Sequence, residues 1–124
     1  MTDDLSARRA AIDRGAVTAT AEVERALDRA ADPAVAPAFL RLDAAGARTS
    51  AAAFDAARTA GAPLPPLAGL AVSVKDLFDV AGQTTPAASL ILRDAPAATT
   101  DATAVARLRA AGAALIGRTH MTEF

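Results

Sequence analysis

Residues 70–75 decide the fold, and they read Leu70-Ala71-Val72-Ser73-Val74-Lys75. This apolar run, rich in valine, predicts a β-strand with residues 70, 72 and 74 on one side. The opposite side carries residues 71, 73 and 75, of which only the lysine is strongly polar. We therefore expect both faces of the strand to be covered, as in a sheet that lies between layers of helices.

A second apolar run, Ala113–Ile116, predicts another strand. Between the two strands lie a long loop, residues 76–100, and a predicted helix that Asp101 caps and Gly112 ends. A strand, a crossover with a helix and a second strand form a parallel α/β unit. Because a buried strand needs neighbours on both edges and few strands precede this one, we expect incomplete burial around Ala113–Ile116 and an incomplete sheet.

The sequence before these strands predicts mainly helices. Asp3 and Asp4 open a short helical stretch that ends near Asp13, and Thr20 is the predicted N-cap of a second helix. The second helix has an apolar stripe that consists of Val23, Ala26, Leu27 and Ala30. The charged residues on its other face, beginning with Glu22, predict a face exposed to solvent.

A proline-rich connector divides the chain. Before it, Phe39–Leu42 predicts a short strand, and Asp43 is the predicted cap of an alanine-rich helix that Gly61 ends. The connector contains Pro63, Pro65 and Pro66. We therefore predict a helical lead-in over residues 1–62 and the first strand–helix–strand part of an α/β core over residues 63–124.

Composition excludes several classes of function. The chain has 124 residues, a net charge of −1 and no cysteine, so it offers no basic surface for nucleic acid, no disulfide and no thiolate site. Its acidic N-terminus carries no signal-peptide pattern, and no window approaches the length of a membrane span. The sequence predicts a soluble cytoplasmic protein with no nucleic-acid or membrane partner and no cofactor.

Lys75 is the only lysine, whereas the other twelve basic residues are all arginine. Arginine stays charged, but a lysine that loses contact with water can lose its proton and act as a base. Lys75 is therefore the candidate catalytic residue. A phosphate-loop role is excluded because Val74 precedes it and Asp76 follows it. The alternative, an ordinary surface lysine with its stem packed on the protein, stays open at this point.

A serine two residues before this lysine suggests a second possibility. Ser73 and Lys75 project from the same face of the strand, with backbone positions about 6–7 Å apart. A neutral lysine can take the proton of a serine in one variant of the hydrolase triad. Parallel projection does not aim the amine at the hydroxyl, however, and we favour Ser73 as a small core residue.

Two acidic residues and the only histidine complete the candidates. Asp76 and Asp79 could suggest a metal site, but no histidine is near them in the sequence. We expect their carboxylates to accept hydrogen bonds from backbone N–H groups instead. His120 has no second histidine to work with, so we expect it to be a residue of a strand end or turn.

Three blocks of sequence resemble the amidase signature family, in the order and spacing of that family. Residues 66–82 (PLAGLAVSVKDLFDVAG) resemble the segment around the catalytic lysine of these enzymes. Residues 101–113 (DATAVARLRAAGA) resemble the helix that follows there. Residues 117–124 (GRTHMTEF) are similar to the family segment Gly-Lys-Thr-Asn-Met-x-Glu-Phe. The resemblance is specific in residues 64–124 and loose before them.

The resemblance implies a mixed sheet flanked by helices and a Ser–cis-Ser–Lys hydrolase of small-molecule amides. In this family the lysine acts through a bridging serine to deprotonate the nucleophilic serine, which forms an acyl-enzyme. Backbone N–H groups of a segment rich in glycine and serine stabilise the oxyanion. Lys75 corresponds to that lysine. Neither serine nor the oxyanion segment has a counterpart here, so we expect an N-terminal portion that is inactive alone.

Two positions depart from the family pattern, and two other functions stay open. Ala88 precedes Ser89 where the family often has a glycine, and His120 replaces the usual asparagine. One alternative is a truncated product that survives as a binding or structural piece without catalysis. The other is the amidase subunit of a tRNA-dependent amidotransferase, which shares the signature.

Overall fold

A computed structural model of the chain describes residues 4–122. It is an α/β structure with four α-helices, one short 3-10 helix and three strands within those residues. In chain order these elements are α1 (Leu5–Asp13), α2 (Ala19–Ala31), the 3-10 helix (Ala36–Ala38), β1 (Phe39–Leu42), α3 (Ala44–Thr59), β2 (Ala71–Lys75), α4 (Thr103–Ala110) and β3 (Ala114–Thr119). No helix in residues 4–122 combines the length and the apolar composition that crossing a bilayer requires.

The three strands form one mixed sheet in the order β1-β3-β2. β2 and β3 are parallel, which confirms the predicted strand–helix–strand unit, and β1 is antiparallel to β3. β1 has the predicted bounds, and the loop over 76–100 contains no helix or strand. The register pairs Lys75 with Thr119 at the carboxyl end of the parallel pair.

The central strand contradicts the expectation of incomplete burial around Ala113–Ile116. Every residue from Ala113 to Arg118 is buried. β1 pairs with one edge of β3 and β2 with the other. The prediction was wrong because Phe39–Leu42 joins the sheet as an antiparallel neighbour, which the parallel unit alone did not indicate. The predicted division of the chain at residue 62 stays a prediction.

Side chains on the two faces of β3 enter two separate apolar clusters. The larger cluster packs α2 and α3 against the sheet, and its buried members are Ala19, Val23, Leu27, Ala30, Ala47, Ala51, Ala114 and Ile116. The smaller one lies under α4 and consists of Val74, Val80, Val105 and Leu115. The apolar stripe predicted for α2 is confirmed. Helices therefore cover both faces of the central strand.

The N-cap of α2 differs from the sequence prediction. Asp43 caps α3 as expected. Asp4, which was expected only as an acidic residue at the start of α1, is its N-cap, and Asp3 lies outside the described residues. Thr18, not Thr20, caps α2, because the Thr20 hydroxyl donates to a carboxylate oxygen of Asp55 on α3.

The predicted cap of α4 is also wrong, and so is one predicted surface charge. Asp101 accepts hydrogen bonds from the Ala81 N–H and from Arg109. Its side chain makes no hydrogen bond with the backbone at the start of α4. Glu22 was expected on a solvent-exposed face, but it is only 5% exposed because Arg8 and Arg25 both bind its carboxylate.

Candidate functional site

Lys75 lies at the carboxyl end of β2, on a side of the sheet that is open. Both Lys75 and Ser73 are exposed, so the expectation that this face would be covered is wrong for residues 4–122. The cause is that β2 is an edge strand in this sheet and no helix packs over these two side chains. The amine of Lys75 has no hydrogen bond or ion pair with another described residue. Lys75 therefore contributes no ion pair to the structure of residues 4–122.

Ser73 is not the small core residue that the sequence favoured. It is exposed, and within the described residues no hydrogen bond joins its hydroxyl to the Lys75 amine. The register of β2 against β3 shifts between Val72 and Ser73, so β3 has an extra residue at this point. The geometry of residues 4–122 does not make Ser73 and Lys75 a hydrogen-bonded nucleophile and base.

The backbone around Lys75 is held by a tight turn. The Lys75 carbonyl accepts hydrogen bonds from the N–H groups of Leu77 (2.7 Å) and Phe78 (3.2 Å). The next N–H, that of Asp76, donates to the Thr119 carbonyl of β3 at 2.9 Å. The strand end that carries the lysine is therefore fixed on both sides by backbone hydrogen bonds.

Directly after the lysine, a buried ion pair joins this turn to β3. Arg118 and Asp76 are 2% exposed each, and Nε and Nη2 of the arginine donate to the same carboxylate oxygen at 3.2 and 3.1 Å. Asp76 was predicted to accept from backbone N–H groups, but it binds this guanidinium instead. No sequence pattern indicated a role for Arg118, and the one local signal was a basic residue that follows, after Gly117, a buried apolar run.

Arg118 also binds the loop that follows. Its Nη2 donates to the Phe78 carbonyl at 2.9 Å and to the Thr85 hydroxyl at 3.2 Å, and Nη1 donates to Gln83 at 3.4 Å. Asp79 accepts from the Thr85 hydroxyl at 2.8 Å, not from a backbone N–H as predicted. No group of three or more potential metal ligands occurs in residues 4–122.

The loop then forms one wall of a groove of about 200 Å³ next to the sheet. Ala87 and Ala88 both have left-handed backbone conformations, with φ of 49° and 56°. The family often has a glycine at residue 88, and alanine here adopts a conformation that favours glycine. Ser89 follows with 3% exposure, and its hydroxyl accepts from the Ile91 N–H.

His120 lies across this groove, at the end of β3. It is exposed, and its backbone N–H donates to the Ala38 carbonyl at 3.0 Å. This agrees with the predicted role at a strand end. Ser89, Asp76 and His120 thus border one groove, although they come from three separate segments of the sequence.

Comparison with protein families and curated sequences gives consistent matches. The sequence profile of the family described as Amidase matches residues 21–124. AtzE, the 1-carboxybiuret hydrolase subunit of Pseudomonas sp. (strain ADP), is 54% identical over 78 residues, which are 63% of this chain and 17% of that protein. The A subunit of the glutamyl-tRNA(Gln) amidotransferase of Salinispora arenicola (strain CNS-205) is 48% identical over 83 residues, which are 67% of this chain and 17% of that protein.

Solved structures show the same similarity. A structure reported as an unexpected vestigial protein complex, which reveals the evolutionary origins of an s-triazine catabolic enzyme, matches with a TM-score of 0.91 and 41% identity. That match covers 97% of this chain and 26% of the other. The native peptide amidase from Stenotrophomonas maltophilia matches with a TM-score of 0.85 and 30% identity, over 98% of this chain and 25% of the other. The chain therefore spans about a sixth of these curated relatives and about a quarter of these solved chains.

Proposed function

The chain belongs to the Amidase family, and from that premise we propose that it contributes Lys75, as the proton-transferring lysine, to an enzyme that hydrolyses amide bonds. One observation carries the proposal. The single lysine of the chain ends β2 within the segment that resembles the family's lysine segment, and its amine is free of any ion pair with the described residues.

The chemistry follows from a lysine that is neutral when it acts. The amine accepts a proton from a bridging serine, which takes one from the nucleophilic serine, and the serine oxygen attacks the amide carbonyl. The C–N bond then breaks, the leaving amine carries the proton away, and water hydrolyses the acyl-enzyme. Both serines are expected outside these 124 residues.

The exposure of Lys75 bears on this mechanism. Burial disfavours the charged form of an amine, so a lysine that accepts a proton from a serine must be shielded from water. We infer that the part of the enzyme that brings the two serines also covers the open side of β2 and removes water from Lys75. The 124 residues alone are then expected to hydrolyse nothing.

A chimera tests the role of Lys75 directly. These residues would replace the matching segment of the Pseudomonas 1-carboxybiuret hydrolase protein, and ammonia release would be measured over a panel of aliphatic and aromatic amides. Replacing Lys75 with Met should lower the rate by about 10²–10⁴-fold, the usual contribution of a general base. Lys75→Arg should lower it as much, since a guanidinium does not give up its proton.

The matched control is Arg48→Met, which removes an exposed charge from α3. This variant should hydrolyse amides at the rate of the unsubstituted chimera. A folded Lys75→Met chimera with an undiminished rate would refute the proposal. Lys75-dependent ammonia release by the 124 residues alone would refute the claim that the segment is inactive without the serines.

A second candidate is the amidase subunit of a tRNA-dependent amidotransferase. The observation that favours it is the 48% identity to the Salinispora amidotransferase protein over 83 residues. Such a protein would work with partner subunits, whereas a simple amidase need not. Genes for those subunits beside this coding sequence, and ammonia release from glutamine in their presence, would support this candidate over the first.

The substrate and the location are parts of the same proposal. We infer a small-molecule amide as substrate and a cytoplasmic location. Cell fractionation that found the protein with membranes or outside the cell would contradict the second inference.

A further inference from the structure

We propose that Arg118 is a positioning residue for Lys75, acting through its buried ion pair with Asp76; this inference rests on the proposed role of Lys75. The arginine does not touch the lysine amine in residues 4–122. It binds the turn that fixes the end of β2. It therefore determines the position of the backbone from which the lysine side chain projects.

Backbone hydrogen bonds link Lys75 to the turn of residues 76–78. The Lys75 carbonyl accepts from the N–H groups of Leu77 and Phe78, so the direction of the strand end depends on where residues 76–78 lie. The backbone N–H of Asp76 is bonded to Thr119, which is the register partner of Lys75. Any movement of Asp76 would therefore move the backbone of Lys75 as well.

Arg118 fixes that turn through three hydrogen bonds. Two of its nitrogens bind the Asp76 carboxylate, and a third hydrogen bond goes to the Phe78 carbonyl. Arg118 thus binds the turn at both ends, at the side chain of Asp76 and at the backbone carbonyl of Phe78. Arg118 itself projects from β3, the central strand, so the anchor lies on the strand that is paired on both edges.

The energy of the ion pair between Arg118 and Asp76 depends on its burial. Two charges buried together lose their hydration, and a buried ion pair adds little net stability compared with an apolar pair of similar volume. Both residues are 2% exposed, so each charge loses nearly all of its hydration. Its contribution is geometric: a planar guanidinium with donors in a fixed fork sets the position of its acceptors.

The charge of Arg118 and the planar shape of its guanidinium make separate contributions. The family segment has a lysine where this chain has Arg118, and an ammonium at that position could still pair with Asp76. Its three donors could serve the Asp76 carboxylate and the Phe78 carbonyl, but they could not also reach Gln83 and Thr85. Arg118→Lys should therefore keep Lys75 in place through the ion pair and loosen the loop around residues 83–85.

The only lysine makes a direct test possible on the 124-residue chain. Labelling with ¹⁵N-lysine gives one backbone amide signal, that of Lys75, in every sample except Arg118→Lys, where a second signal from residue 118 appears beside it. The δ-methyl signal of Ile12, which is 1% exposed in the contact between α1 and the rest of the protein, reports whether the fold persists. Neither signal depends on catalysis.

The variants are Arg118→Lys, Asp76→Asn and the double variant Asp76→Asn with Arg118→Gln. We expect the Lys75 amide signal to stay in place in Arg118→Lys. It should shift toward its unfolded position in Asp76→Asn, and further in the double variant, while the Ile12 signal stays native. The double variant leaves no uncompensated buried charge, so it provides a folded sample if Asp76→Asn unfolds, and an unchanged Lys75 signal in it would equally overturn the positioning role.

Arg109→Met is the matched control, because it removes an arginine–aspartate pair that is exposed and does not touch the turn. It should leave the Lys75 signal unchanged. An unchanged Lys75 signal in folded Asp76→Asn would overturn the positioning role, as would a shift in Arg118→Lys equal to that of the double variant. A chimera that is active without Lys75 would refute the proposed function and leave this measurement valid.

Discussion

Gly69 lies so close to Ala19 that a Cβ atom on residue 69 would come within 2.6 Å of the Ala19 Cβ. Ala19 is fully buried at the start of α2, and Gly69 has a φ of +78° just before β2. The connector after the prolines therefore docks on α2 through a contact that only glycine allows.

Substituting Gly69 with alanine should destabilise the protein by about 2–4 kcal/mol, because strained backbone and overpacking add together. Urea unfolding followed by circular dichroism measures this change. Gly61→Ala is the matched control, since its φ is +76° but a Cβ there meets nothing within 4 Å. It should lose only the backbone part, about 1–2 kcal/mol. Equal losses in the two variants would contradict the close contact.

Glu22 should make stability depend on pH. Burial would raise the pKa of its carboxyl, but hydrogen bonds and charges of Arg25 and Arg8 outweigh this and hold the pKa below its ordinary value of 4.5. A lowered pKa means that the carboxylate stabilises the fold above about pH 4.5 and that this contribution is lost as the pH falls through the folded-state pKa. Glu22→Gln should therefore lower stability near neutral pH and flatten its decline in acid.

Thermal unfolding over a series from neutral to acidic pH provides the measurement. Asp28→Asn is the control, because it removes an exposed carboxylate from the same helix. If Glu22→Gln and wild type declined in parallel in acid, the ion pairs of Glu22 with Arg8 and Arg25 would not be the cause.

Breaking the Asp76–Arg118 pair from one side should be more damaging than removing both charges. Arg118→Met leaves a buried carboxylate without a counter-charge, which costs about 3–5 kcal/mol. Adding Asp76→Asn to that variant should restore part of the loss, because no uncompensated charge remains. Urea unfolding of both single variants and the double variant gives the coupling energy. Strict additivity would show that the two side chains do not interact.

Asp55 should stabilise the start of α2 from another helix. Its carboxylate accepts from the N–H groups of Ala19 and Thr20 and from the Thr20 hydroxyl, at 2.7, 2.9 and 2.6 Å. Burial would raise the pKa of Asp55, but these hydrogen bonds lower it. Asp55→Ala should lower the free energy of unfolding by about 1–2 kcal/mol, as the loss of an N-cap does. Asp32→Ala, which removes an exposed carboxylate after α2, should change it less.

The sequence predicted those elements whose signals are local. Phe39–Leu42, the cap at Asp43 and the parallel pair of strands are confirmed because alternation, caps and strand-helix order act over a few residues. Thr20 failed as a cap because a residue on another helix, Asp55, takes its hydroxyl. Asp101 failed in the same way, since it binds Arg109 and the Ala81 N–H.

The same difference between local and long-range signals applies to the candidate site. Lys75 could be found because it is the only lysine and lies in a recognisable segment. Arg118 could not, because its partner Asp76 is 42 residues away and the pairing exists only once β2 and β3 are adjacent. The open side of β2 was also missed, since periodicity indicates which side chains share a face and not whether anything covers that face.

The order of the strands has a consequence for synthesis. β3 lies between β1 and β2 but is translated after both, so neither earlier strand can pair until residues 114–119 have left the ribosome. Until then Phe39–Leu42 and Ala71–Lys75 expose unpaired backbone, and their apolar side chains lack a sheet to join. Folding of the nascent chain should therefore be late and abrupt, and chaperones that recognise extended apolar segments would act before that point.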